Sequence, residues 1–283
     1  MEKQFTRQGL QDTVLASLCG EARALKPGNV SFYAPGHDMV YDDFVRSAEV
    51  VTPILCDTRL GLGQRILHSV RATKEAVGCN TNLGMLLLFT PLIMACEDLE
   101  KGDNPRQALA TVLAALQKSD ADEVFEAILL ARPGGLGHTE KYDVHSMPET
   151  GLVEVMSAAK DRDFIALQYS NTFGEIFDVG LPAFHQYGEA GNNVEWATVG
   201  CYLTFLSRYP DSHISRKFGA DTAEQVRIRA VMVLKQFNNK KKSPDSIKAL
   251  LLEYDKELKD SNINPGTSAD LTAASLLLYM LGI

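Results

Sequence analysis

Residues able to do chemistry gather in four short connectors of this chain. The first, Leu25 to Met39, sets Lys26, Asn29, His37 and Asp38 among two Pro-Gly turns, with Glu21 just ahead of it. An ammonium, an amide, an imidazole and two carboxylates are groups that hold polar substrates, move protons or ligate a metal. Capping of the next helix accounts for Asp38 but not for the others. The second connector, Gly78 to Gly84, places Asn80, Thr81 and Asn82 before a segment that reads as a helix apolar all round. The N-terminus of a buried helix offers free N–H groups and a positive dipole end, which suit a phosphate. Simple capping by Thr81 or Asn82 is the competing reading. It leaves Gly84 unexplained, because glycine costs helix stability unless something packs closely there. In the third connector, Pro265-Gly266 precedes Thr267, Ser268 and Asp270 at the start of the last helix. Thr-x-x-Asp is either a capping box or a row of donors with a carboxylate for a metal ion or a sugar hydroxyl. The fourth, Arg132 to His138, is glycine-rich. It lacks the Gly-Lys-Ser/Thr of a P-loop and follows no strand, so a plain loop is the simpler reading. Asp211, His213 and Arg216 read equally as phosphate or metal contacts and as a capping turn.

The elements that must position these groups are helices. Leu10, Val14 and Leu18, then Val40, Phe44, Ala48 and Val51, then Val226, Ala230 and Leu234 each recur at three to four residues, which lines one helix face. Alternating, strand-like runs are nearly absent. The pattern predicts an all-α, single multi-helix domain over residues 1–283, with about ten to twelve helices. The apolar run Leu83 to Ala95 is shorter than the ~18 residues of a membrane span and contains Pro91, so it reads as a buried helix. Between Phe237 and Ser246 a polar, basic stretch joins two helices, with Ser243 as cap and Pro244 at the first position of the second.

Composition narrows the function further. The chain has 283 residues, 45% hydrophobic and 23% charged, with a formal charge of -8. A non-specific nucleic-acid binder needs a basic face, so that class is excluded. A polyphosphate would have to be met by local donors or a divalent metal. Five scattered cysteines support neither a disulfide framework nor a zinc site. Reduced thiols, a polar N-terminal segment without an apolar core and no membrane span lead to the expectation of a cytoplasmic protein.

Three connectors taken together, Glu21 to Ser31 with Gly36-His37-Asp38-Met39, Gly78 to Gly84, and Asn262 to Leu271, resemble the triphosphoribosyl-dephospho-CoA synthase family in order and spacing. That family is all-α and joins ATP to 3′-dephospho-CoA. The acceptor's ribose hydroxyl attacks the anomeric carbon of ATP and adenine leaves. The resemblance implies ATP and dephospho-CoA, or a related acceptor, as substrates, with Mg²⁺ accompanying the triphosphate; a homo-oligomer is compatible with it. It implies catalytic roles for Glu21, His37 and Asp38, and substrate contacts from Lys26, Gly28, Asn29, Asn80, Thr81, Gly84, Asn264, Gly266 and Ser268. Asp38 and Asp270 become the metal ligands. One departure stands out: where the family reads Asn-Thr-His-Lys-Gly, this chain has Asn82 and Leu83 in place of the histidine and lysine. A neutral leucine does not replace an ammonium beside phosphate. The departure keeps open a divergent member that serves another cofactor precursor, such as one of the pterin type. A non-catalytic ATP-binding paralogue is the third reading. A His-Asp metal phosphohydrolase would need a histidine before His37, and the chain has none.

Overall fold

A computed structural model describes residues 3–133, 150–188, 194–239 and 244–283. Among them fourteen α-helices and a single π-helical turn account for the regular structure, with isolated β-bridges but no strand. The helix count exceeds the ten to twelve expected because short helices of seven or eight residues interrupt the second half. The first six are α1 (Arg7–Arg23), α2 (Tyr41–Leu55), α3 (Leu62–Val77), α4 (Leu83–Glu97), α5 (Pro105–Ala115) and α6 (Lys118–Ala131). Then come α7 (Leu152–Ala159), α8 (Phe164–Ser170), the π turn Ile176–Gly180 and α9 (Leu181–Gly188). The last five are α10 (Val194–Arg208), α11 (Ser212–Phe218), α12 (Ala220–Phe237), α13 (Pro244–Asp260) and α14 (Gly266–Met280). Helix α13 opens at Pro244 as expected, while its expected cap Ser243 lies outside the described residues.

Two helices form the centre. In α4 every residue but Gly84, Met94 and Glu97 is buried. In α14 every residue is buried except Gly266, Asp270 and Tyr279, which are half-buried, and Met280, which is exposed. An all-round apolar helix must be surrounded, and α1, α3, α10 and one another's flanks do this for the two. Pro91 inside α4 cannot donate to the carbonyl of Leu87, four residues back. The buried hydroxyl of Tyr169 on α8 fills the gap, donating to Leu87 O at 2.6 Å. Arg65 on α3, almost wholly buried, reaches Glu97 at the end of α4 through two parallel bonds of 2.6 and 3.0 Å and also donates to Leu55 O. This fork fixes α4 along its axis, and so fixes where its N-terminus lies. No helix among the described residues is long and apolar enough to cross a membrane.

Candidate active site

Asp211 joins the starts of α11 and α14. Its Oδ1 accepts the N–H groups of His213 and Ile214, capping α11, and its Oδ2 accepts both N–H and Oγ–H of Ser268 at 2.8 Å. Burial pushes the Asp211 carboxyl up, and the Ser268 and Ile214 donors work against that shift. Thr267 serves the same junction, its Oγ1 accepting the N–H of His213. The third connector therefore forms no Thr-x-x-Asp capping box: α14 starts two residues earlier, with Pro265 at the cap position, and Asp270 is left to face elsewhere.

It faces a cavity of about 600 Å³, a size typical of small-molecule sites. Gly266 and Asp270, four residues apart on one face of α14, form part of its lining, opposite Asn80, Thr81 and Gly84 at the start of α4. The two helices touch at Gly84, where a Cβ would fall on Asp270 Oδ2 and also press on Ile165. Asp270 makes no hydrogen bond to the described residues. Burial pushes its carboxyl well above the usual carboxylate range, and the charges of Glu21 and Asp211 add to this while Arg216 opposes it. Asn80 Oδ1 takes the N–H of Leu83, whereas Asn82 at the cap position turns its side chain to Thr73.

The first connector supplies another wall. Asn29 Nδ2 donates to Asn264 Oδ1 at 2.8 Å, so the first and third connectors meet as a pair of amides on the cavity. His37 donates from Nε2 to the carbonyl of Gly28 at 2.8 Å, with Nδ1 3.2 Å from Asn262 Oδ1. The loop is clamped from behind by α13. Asp255 accepts the N–H of Gly28 at 2.8 Å and pairs with Lys259, which donates to Ala34 O. Gly28 has φ +82°, and a Cβ there would meet Leu258 and Pro265 at 2.8 Å, so only glycine fits.

Of the residues singled out from the sequence, Asn29, His37, Asn80, Thr81, Gly84, Asn264, Gly266 and Asp270 share this one cavity. Five others do not reach it. Lys26 is fully buried and its ammonium donates to the carbonyls of Glu21, Ala24 and Val30, finishing α1 rather than holding substrate. Glu21, equally buried, lies 3.2 Å from that ammonium, behind Asp270 and not in contact with the cavity. Burial pushes Glu21 up and Lys26 down, and each partner's charge opposes the other's shift. Gly28 is part of the clamp just described. Ser268 is committed to Asp211. Asp38, expected as base and metal ligand, is exposed at the tip of a tight turn closed by paired Gly36 and Met39 backbone bonds. His37 and Asp38 have φ of 56° and 60°, the left-handed pair of a type I′ turn, where a short polar residue is tolerated for its backbone.

Other cavity residues gave little sign in the sequence. Arg162 and Asp163 between α7 and α8, and Lys217 beside Arg216 on α11, belong to no motif. Arg216 pairs with Asp163, which also caps α8. Arg132, Arg162, Arg216 and Lys217 give the lining four cations. His213, pressed close to Gly266, is held down to about 4 by burial and by Arg216, Lys217 and His37, so it is neutral near pH 7. Beyond Arg132 and Pro133, the glycine-rich run from Gly134 to His138 lies outside the described residues. Asp178 pairs with Arg106, and Glu175 accepts from Gln168 and Asn171, both away from the cavity.

A Mg²⁺ ion usually takes one or two carboxylates and completes its shell with substrate phosphates and water; on this cavity Asp270 is the carboxylate without a hydrogen-bond partner among the described residues, whereas Asp163 is engaged by the α8 cap and Arg216, and Asp38 lies off the cavity. Among the described residues no group of three or more His, Cys, Asp or Glu forms an all-protein cage. Comparison with curated proteins and with solved structures finds no match to either. A family model described as ATP:dephospho-CoA triphosphoribosyl transferase matches residues 7–282. With the match spanning nearly the whole chain, including the helix starts that meet at the cavity, this protein belongs to the ATP:dephospho-CoA triphosphoribosyl transferase family.

Proposed function

We propose that the protein is a pentosyltransferase that moves the triphosphoribosyl group of ATP to a hydroxyl of 3′-dephospho-CoA. The acceptor oxygen bonds to the anomeric carbon, and the bond from that carbon to adenine breaks. Adenine leaves with the bonding electrons, and the proton given up by the hydroxyl balances the charge on it. The observation that carries this reading is Asp270, a carboxyl without a hydrogen-bond partner among the described residues, held against Gly84 between two helix starts in a cavity that also carries four cations.

Positive charge develops on the sugar ring in such a transfer, and a carboxylate fixed beside it in a poorly solvated site stabilises that charge. Asp270 is the residue placed to do so. A cationic transition state favours its ionised form, against the burial that disfavours it. The amides of Asn29 and Asn264 offer a donor and an acceptor to a base edge. Arg216 and Lys217 provide charge for phosphates, and the N-termini of α4 and α14 point their dipoles the same way. Mg²⁺ held by Asp270 and the triphosphate would neutralise phosphate charge. Incubation with ATP, Mg²⁺ and dephospho-CoA should release adenine and form the triphosphoribosyl adduct, both visible by mass spectrometry. ATP left intact would refute the assignment.

Leu83 favours a second reading. It lines the cavity at the position where the resemblance leads to a lysine. A member with a different acceptor, of the pterin type for example, would release adenine only when that acceptor is supplied.

A further inference from the structure

His213, the second residue of α11, is half-buried and lines the cavity. Its backbone N–H is donated to Asp211 and Thr267, but neither nitrogen of its ring has a hydrogen-bond partner among the described residues. Nδ1 would lie 2.7 Å from a Cβ at Gly266, so the ring takes the space where a side chain there would begin. Asp270 follows four residues on along the same face of α14, about 6 Å away by helical rise. An unpartnered imidazole and an unpartnered carboxyl therefore occupy successive places along one helix face, both on the cavity.

The transfer needs a group to take the proton of the acceptor hydroxyl. Among the lining residues His37, Asp163, His213 and Asp270 have that chemistry. His37 is held at both ring nitrogens, by Gly28 O and Asn262 Oδ1. Asp163 is held by the α8 cap and by Arg216. Asp270 is needed as a charge beside the sugar. Asp211, at the cap of α11, is taken up by its own N–H donors and by Ser268. His213 keeps a free lone pair, because burial together with Arg216, Lys217 and His37 holds its proton affinity down to about 4. So low an affinity makes a weak base. Phosphates bound beside Arg216 and Lys217 offset the two charges on α11 that press on the ring, and the proton affinity of His213 then rises.

Resting on the transferase reading, we propose that His213 is the general base of the transfer, made effective by the substrate phosphates that settle beside it. The hydroxyl proton passes to a ring nitrogen of His213, and an electron pair of the oxygen forms the bond to the anomeric carbon. The pair of the carbon–adenine bond leaves with adenine, which takes a proton from water. The hydroxide so formed is neutralised by the proton on His213, and the base is restored.

Adenine release by the full chain with ATP, Mg²⁺ and dephospho-CoA tests this, first in the unaltered protein. The profile of kcat/KM reports the free enzyme and that of kcat the loaded one. From about pH 8 to about pH 5, kcat should fall at least about threefold while kcat/KM for ATP stays level, because only the loaded enzyme has the stronger base. His213→Gln keeps a polar group of similar size against Gly266. It should lower kcat by about 10²–10³, leave KM for ATP within about threefold, and remove the acid limb. His213→Ala should lose as much and regain at least about tenfold with imidazole in the buffer, a rescue that a merely structural histidine would not show. A level kcat profile, a kcat in either variant within about tenfold of the unaltered protein, a KM that rises in step with the fall in kcat, or an alanine variant that imidazole leaves inert would overturn the assignment alone. No adenine release by the unaltered protein would overturn the transferase reading, and the base with it.

Discussion

Gly84 and Asp270, on different central helices and 186 positions apart in the chain, occupy one space: the carboxylate of one lies where a side chain of the other would begin. The contact explains a glycine in the first turn of an otherwise mostly apolar helix. Gly84→Ala must push Asp270 aside. Helix propensity favours alanine by about 1 kcal/mol, which offsets part of the packing strain. The expected outcome is a drop in adenine release of at least about tenfold with a melting temperature changed by only a few degrees.

Asp270→Asn separates stability from activity. The native carboxyl has no hydrogen-bond partner among the described residues, and burial together with the nearby Glu21 and Asp211 disfavours its charge, so a neutral amide removes that cost. The variant should melt at the same temperature or higher. Its turnover should fall by about 10²–10³, the usual effect of removing one preorganised electrostatic group. Calorimetry and an adenine assay on the same sample decide it.

Asp38→Gly should be silent in turnover. Glycine adopts the left-handed backbone of the turn at no steric cost, and the exposed carboxylate does not reach the cavity. A loss of more than about tenfold in kcat would place Asp38 in the chemistry after all.

Lys26→Met leaves Glu21 buried without its counter-charge and three carbonyls without their donor. Breaking one side of a buried pair costs about 3–5 kcal/mol. The double variant with Glu21→Gln should recover much of that, in urea unfolding, because neither charge then needs a partner.

Acid should destabilise the fold through His213. Its pKa falls from 6.5 to about 4 on folding, so between these values the unfolded chain binds more protons than the folded one. Stability from this group is complete above pH 6.5, declines as pH falls, and is lost below about 4, by about 3 kcal/mol in all. His213→Gln should flatten that part of the stability profile, measured by unfolding at fixed denaturant.

Helix class and the burial of α4 were legible because they depend on periodicity, which the sequence shows directly. The meeting of the three connectors was legible through their resemblance to one family, and Asn29, Asn80, Asn264 and Asp270 do meet. What residue type could not reveal was direction. Lys26 and Glu21 look like substrate contacts and turn out to finish a helix from inside the core. Ser268 looks like a donor to substrate and serves Asp211, 57 positions away. His37 and Asp38 hide a turn that would have been plain had either been glycine. Arg162, Asp163 and Lys217 gave no signal, since single charges at helix ends are ordinary and only the packing of α7, α8 and α11 makes them neighbours.

The carboxylate of Asp211 also gives the molecule an internal gauge. The amide protons of His213, Ile214 and Ser268 are all donated to it, and it is only 3% exposed. Protons held in this way leave for solvent only when the helices carrying them separate. In deuterated water these three should be among the slowest to exchange, and their rate would report the opening of the whole helical core, independent of any substrate.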